Sequence, residues 1–137
     1  AVLTADHHIS NSEKFLRVIA AAAELAEQNY IVTLGIAPTS PSTGFGYIRR
    51  GEALAEVQGF QTYHAEQFTE KPDLQTAIEF LSTGLYSWNS GMFVWTVQSI
   101  RAEFERQMPC LWAQLSEIQR AFDTPAEQAV LERVWGT

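Results

Sequence analysis

The sequence predicts an α/β fold, a three-layer αβα sandwich built around a mixed, mostly parallel sheet. Three observations carry that expectation. Val2 to Ala5 is a short apolar strand, residues 13 to 28 repeat apolar side chains at helical spacing, and Tyr30 to Ile36 is a nearly unbroken apolar run. Such a run, closed by a proline-rich loop, is the pattern of a strand buried on both faces, as strands of parallel sheets usually are. Strand, helix and strand in succession make a right-handed crossover unit.

The totals set bounds on size and partners. With 137 residues, 46% of them hydrophobic, the chain matches one domain with a real core, and no linker divides it, so residues 1–137 are expected to form a single domain. Nine Lys and Arg against sixteen Asp and Glu leave a net charge of −7. No basic run reaches the length of a nucleic-acid or membrane patch, so neither partner is expected. Cys110 is the only cysteine. That rules out an internal disulfide and a multi-cysteine zinc site, and it fits a reducing compartment. No apolar run can span a bilayer and the first residues lack the charged-then-apolar order of a signal peptide, so a cytoplasmic location is expected. The chain opens in mid-strand, which suggests a fragment whose first strands are missing.

Along the chain, Asn11 or Ser12 caps a helix over 13–28 with Phe15, Val18, Ile19, Ala22, Leu25 and Ala26 on one face, and Asn29 suits its left-handed end. Ala37 to Thr43 holds two prolines and four hydroxyl residues and reads as a loop across the mouth of the sheet. Gly44 to Ile48 resumes an extended path with one side of the backbone bare. Arg49 to Glu52 reads as a turn, and Val57 to Tyr63 and Tyr63 to Thr69 as strands of antiparallel ribbons. Pro72 suits the first turn of a helix, and Leu74, Ala77, Ile78 and Leu81 share a face up to Gly84, a left-handed C-cap position. Tyr86 to Trp95 begins as a loop and becomes an aromatic strand. Three helices follow, the first ended by Pro109, the second from Leu111 to about Phe122, and the third opened by the capping box Thr124-Pro125-Ala126-Glu127.

Four clusters fall at strand ends or loops. Asp6-His7-His8 follows the first strand, where Asp6 is either a hard-oxygen ligand for Mg²⁺ or a cap on the next helix. The Gly44 to Tyr47 segment permits a bulge or close approach of a ligand. Glu70-Lys71 stands at a strand-to-helix corner, where open α/β sheets bind ligands; the ammonium suits a phosphate and the carboxylate suits hydroxyls, and the alternative is a solvated ion pair. Asn89 in Asn89-Ser90-Gly91-Met92 offers both donor and acceptor to a sugar hydroxyl, or shapes a turn.

In order and spacing these clusters resemble the sugar-phosphate nucleotidyltransferases, most closely the mannose-1-phosphate guanylyltransferases (GDP-mannose pyrophosphorylases). Leu3 to Ile9 resembles that family's Pro-Ala-Asp-His segment, Gly35 to Thr39 its Gly-Ile-x-Pro-Thr, and Thr43 to Ile48 its Thr-Gly-Tyr-Gly-Tyr-Ile. Phe68 to Asp73 is similar to Phe-x-Glu-Lys-Pro-Asp, and Trp88 to Phe93 to Trp-Asn-Ser-Gly-Met-Phe. The resemblance implies a Rossmann-like, nucleotidyltransferase-type sheet and an enzyme that makes GDP-mannose and pyrophosphate from GTP and mannose 1-phosphate. It implies that Asp6 holds Mg²⁺, with Mn²⁺ as an alternative, and that Lys71 pairs with the sugar phosphate. Glu70 and Asn89 would bind mannose hydroxyls, and Gly44 would bring its backbone to the sugar; Asp6 and Lys71 are the catalytic pair.

Three departures bear on this reading. The family's glycine-rich nucleotide loop lies upstream of the Asp-containing strand and is not in the sequence. The second metal-binding Asp is expected downstream of Thr137. Thr4 stands where the family has proline, and His8 where it has an aliphatic residue. The chain thus resembles the middle of a catalytic domain, expected to be inactive alone and to self-associate through open sheet edges into a homo-oligomer. Two other readings stand beside it: a non-catalytic module that binds a sugar phosphate or a partner protein, and, from Asp6-His7-His8, a DHH-type phosphoesterase.

Overall fold

The structure is a computed structural model that describes residues 1–136. Two compact units divide at Thr96/Val97. The first holds helix α1 (Ser12–Glu27), strands β1 (Val32–Ile36), β2 (Tyr47–Ala53) and β3 (Tyr63–Thr69), helix α2 (Leu74–Thr83) and strand β4 (Tyr86–Val94); the second holds α3 (Val97–Gln107), α4 (Pro109–Ala121) and α5 (Glu127–Trp135). Among the described residues no helix is long and apolar enough to cross a membrane.

The first unit is a mixed α/β structure with one sheet in the order β1-β4-β2-β3, and every pairing in it is antiparallel. The largely parallel sheet is therefore corrected. Val2 to Ala5 is reduced to one antiparallel bridge, Val2 with Phe93. Phe93 pairs with Thr33 of β1 across its other edge. Val2 and β1 both run opposite to β4, so they run parallel to each other, but β4 lies between them. The crossover direction is as read from the sequence, and the adjacency is not. Of the three-layer sandwich, the contacts within this unit give α1 on β1 and β4, and α2 on β4.

Local signals explain most elements. Asn11 caps α1, its Oδ1 accepting from Lys14 N at 2.8 Å, and the helix buries Ala21, Ala22, Leu25 and Ala26. Those residues form two clusters, one with Val57, Val32 and Phe60 and the other with Val94, Val32 and Leu34. Small side chains on this face let the helix lie close to the sheet. Asp73 rather than Pro72 opens α2: its side chain accepts from Thr76 N at 2.8 Å, and Pro72 is the buried residue just before the cap. Phe80 of α2 stacks on Tyr86 at 3.8 Å and leans on fully buried Tyr47 at 5.4 Å.

Three further readings shift. Arg49 to Glu52, read as a turn, lies within β2, because pairing with β3 on one edge and β4 on the other overrides the local preference. Val57 to Phe60, read as the start of a strand, is a tight turn in which Val57 and Phe60 exchange both backbone hydrogen bonds at 2.9 Å. Gln58 and Gly59 both have positive φ there, the geometry of a two-residue hairpin turn. Tyr86 is already in β4 rather than in a loop.

In the second unit, Pro109 occupies the first turn of α4, and the Arg101 guanidinium lies 5.3 Å from the Trp112 ring. The capping box read at 124–127 does not form, since α5 has Ala126 at its N-cap with no side-chain cap hydrogen bond. In the turn before it, Glu127 Oε2 accepts from Asp123 N at 2.9 Å and the Thr124 hydroxyl accepts from Ala126 N at 3.3 Å, and α5 begins at Glu127. Arg133 pairs with Glu117 between α5 and α4; that contact raises the Arg133 pKa and lowers that of Glu117.

A candidate sugar-phosphate site at the β2, β3 and β4 ends

Three of the sequence clusters meet at one corner of the first unit. Asn89 N donates to Gly46 O at 2.8 Å, and Lys71 N donates to Phe45 O at 3.2 Å, so the 44–46 segment is held between the bend after β3 and the middle of β4. Phe45 meets Trp88 edge-on at 4.9 Å. On the near side of the segment the Ser42 hydroxyl accepts from Gly44 N at 3.2 Å, and the Tyr47 hydroxyl donates to Ser42 O at 2.9 Å. A loop that sequence alone leaves free is thus tied at both ends.

The glycine at 46 has a steric reason. A Cβ there would stand 2.5 Å from Glu70 Oε2 and 3.5 Å from Asn89 Cβ. Glu70 and Asn89 therefore flank bare backbone. Lys71 Nζ lies 3.5 Å from Glu70 Oε1, with both side chains about two-thirds exposed, at 66% and 68%. Lys71 has φ +45, a conformation uncommon for a residue with a side chain. The corner presents a cation, a carboxylate, an amide and open backbone on one solvent-facing patch. The Asp73 carboxylate next to it is held below its usual pKa, first by the Thr76 backbone N–H and then by the Thr76 hydroxyl.

Asn89 sits at a bulge in β4. Thr33 pairs with Phe93 and Gly35 with Asn89, so one residue of β1, Leu34, faces Ser90, Gly91 and Met92 of β4. Gly91 takes φ +72 there. Ser90, only 7% exposed, donates from its hydroxyl to Leu34 O at 2.6 Å and accepts from Met92 N at 3.2 Å. Those are backbone groups that the interrupted ladder leaves over. Ser90 lies in a cluster the sequence singles out, but its role and that of Thr33 are not legible there; a glycine inside a strand pattern is the signal that reveals the bulge.

Asp6 lies on the exposed segment that passes this bulge. His7 Nε2 donates to Ser90 O at 2.9 Å, and a Cβ on Gly91 would be 3.3 Å from the Thr4 methyl. Asp6 does not cap α1, since Asn11 does, so its carboxylate is not engaged in the alternative role. Among the described residues no group of three or more His, Cys, Asp or Glu stands close enough to hold a metal ion. A single hard-oxygen donor still fits Mg²⁺, which keeps waters and takes substrate phosphates beside one or two carboxylates.

A cavity of about 780 Å³ in this unit is lined by Leu25, Val32, Leu34, Phe60, Phe80 and others, and by none of the five candidate residues. Its walls carry more apolar than polar surface, so it suits apolar packing rather than phosphate chemistry. Close to the corner, Trp88 Nε1 is buried with no partner among the described residues.

The nucleotidyl transferase family profile matches residues 1–127. The chain is 50% identical over 95 residues to a mannose-1-phosphate guanylyltransferase of Salmonella montevideo, an alignment covering 68% of this chain and 20% of that protein. It spans about a fifth of that relative's length. Among solved structures, it is similar to one described as mannose-1-phosphate geranyltransferase from Thermus thermophilus, with TM-score 0.73 and 30% identity over 93% of this chain and 36% of that one. Another, described as mannose-6-phosphate isomerase from Helicobacter pylori, gives TM-score 0.66 and 32% identity over 82% and 41%. With the profile matching all but the last helix and a short tail, the chain belongs to the nucleotidyl transferase family.

Proposed function

We propose that this chain is the sugar-phosphate half of a mannose-1-phosphate guanylyltransferase. In that reaction a phosphate oxygen of mannose 1-phosphate attacks the α-phosphorus of GTP; the bond from that phosphorus to the bridging oxygen breaks, pyrophosphate leaves and GDP-mannose forms. The observation that carries the reading is the meeting of Lys71, Glu70, Asn89 and the bare Gly44–Gly46 backbone at one corner, in a chain similar to proteins of that name. Lys71 would pair with the sugar phosphate as a point charge, while Glu70 and Asn89 orient the sugar through its hydroxyls and Gly44 lets the backbone approach it. Asp6 would hold Mg²⁺, or Mn²⁺ in its place, which supplies charge neutralisation at the phosphates when bound.

The finer architecture belongs to the same proposal. β1 is an edge strand beside an apolar cavity, and strands outside this chain would pair along it to complete a three-layer sandwich. The partners are then small molecules rather than nucleic acid or membrane, in a cytoplasmic homo-oligomer. The test is pyrophosphate release by the full-length protein with GTP and mannose 1-phosphate. Turnover is expected from the full-length protein and not from these 137 residues alone; a full-length protein that releases no pyrophosphate overturns the reading.

A further inference from the structure

We infer that Thr33, a residue of β1 outside the corner itself, is a positioning residue that holds the Asn89 carboxamide in the orientation set by Gly91 N, with its NH2 group toward the sugar. The inference rests on the proposed function and goes beyond it by assigning a donor role to one atom. Gly91 N lies 3.1 Å from the Asn89 side chain, and a backbone N–H can only donate, so the atom it faces is the amide oxygen, Oδ1. Thr33 Oγ1 approaches the same oxygen at 3.3 Å and Met92 O at 3.4 Å, its one proton shared between the two acceptors. The oxygen is therefore occupied from two sides. The Nδ2 group makes no hydrogen bond among the described residues, and the Cβ that carries the amide stands at the bare face of Gly46, beside Glu70.

The division of labour follows. The Glu70 carboxylate accepts, and Asn89 so held can only donate. A sugar hydroxyl lying between them can donate a hydrogen bond to Glu70 and accept one from Asn89 on its oxygen. If the amide turned over, two acceptors would face the same hydroxyl and one would be left unpaired. The bulge makes this arrangement possible: the extra β4 residues lift Gly91 N out of the ladder and aim it at Oδ1, while β1 supplies the second hold from across the strand gap.

The experiment uses the full-length protein with Thr33→Val, Thr33→Ser, Asn89→Ala and the Thr33→Val/Asn89→Ala pair. Steady-state constants for both substrates are measured together with thermal unfolding. Thr33→Val should raise KM for mannose 1-phosphate by about 3- to 10-fold, the scale of one neutral hydrogen bond, with KM for GTP and kcat within about twofold. Thr33→Ser, which keeps the hydroxyl, should restore the wild-type constant. In the Asn89→Ala background Thr33→Val should add nothing, because the amide it acts through is gone. Additive losses in the pair, or equal losses in kcat and both KM values with a lowered melting temperature, make Thr33 merely structural and overturn the inference. Absence of turnover by the wild-type protein takes down the functional reading and this inference with it. Wild-type turnover combined with an unaffected Thr33→Val variant overturns the inference alone.

Discussion

Lys71 carries two properties that substitution can separate: its charge and its backbone. A non-glycine residue held at positive φ costs about 1–3 kcal/mol, and Lys71 adopts φ +45 with its N–H committed to Phe45 O. Its ion pair with Glu70 is exposed and contributes little to stability. Lys71→Gly should therefore stabilise the fold by about 1 kcal/mol in chemical denaturation, while Lys71→Ala should not. Both should raise KM for mannose 1-phosphate by roughly 10- to 100-fold and leave that for GTP nearly unchanged, since each removes a charge-assisted contact. A defect confined to GTP would remove the corner from the sugar-phosphate role. Gly46 offers the complementary case. A methyl there meets the far end of the flexible Glu70 side chain, which can swing away. Gly46→Ala should fold with nearly unchanged stability yet raise the same KM by about tenfold or more, because the carboxylate is displaced. A variant with native kinetics would show that Glu70 does not serve the sugar from this position.

The helix after the corner depends on its cap. Asp73 accepts from Thr76 N, and the hydrogen bonds of Thr76 hold its carboxyl below the ordinary value of 3.8. Because the folded pKa is depressed, the stabilisation is fully present above the unfolded value and is lost as pH falls through the lowered folded value. Asp73→Asn keeps an acceptor of similar capping quality but cannot ionise. The melting-temperature gap between wild type and Asp73→Asn should therefore be constant from neutral pH down to about pH 5 and close below about pH 4. A gap that stays constant into acid would show that the charge contributes nothing to the cap. The opposite end of α2 is closed by Gly84 at φ +66 and by Arg50, whose side chain donates to Gly84 O and Leu85 O.

At the scale of the whole chain, the edges of the sheet decide behaviour in solution. β1 has a neighbour on one side only; Ile31, which lines the apolar cavity, and Ile36 are each 44% exposed. β3 is the other edge, and Phe68 on it is 54% exposed. Unpaired strand edges with apolar side chains recruit further strands. The isolated 137 residues should self-associate, with an average mass by sedimentation equilibrium that rises with concentration. A monomer at every concentration tested would show that these edges are protected.

Sequence by itself determined the pieces whose causes are local. The cap at Asn11, the αL residue Asn29, the C-cap Gly84, the limits of β3 and the order of the candidate clusters all follow from neighbours within a few residues. The family, too, was legible in the spacing of those clusters. Only the tertiary structure decided who pairs with whom. The apolar run of β1 reads equally well as a parallel or an antiparallel strand, since periodicity reports burial and not partner. Insertion of β4 between Val2 and β1 depends on pairs from Ile36–Trp88, 52 residues apart, to Val2–Phe93, 91 apart. The same holds for the second contact on the Asn89 amide oxygen, made by Thr33 at a separation of 56 residues. Propensity and capping act over one helical turn, whereas the bulge, the register and the contact of Thr33 with an amide are settled by chain segments that meet only once the sheet has formed.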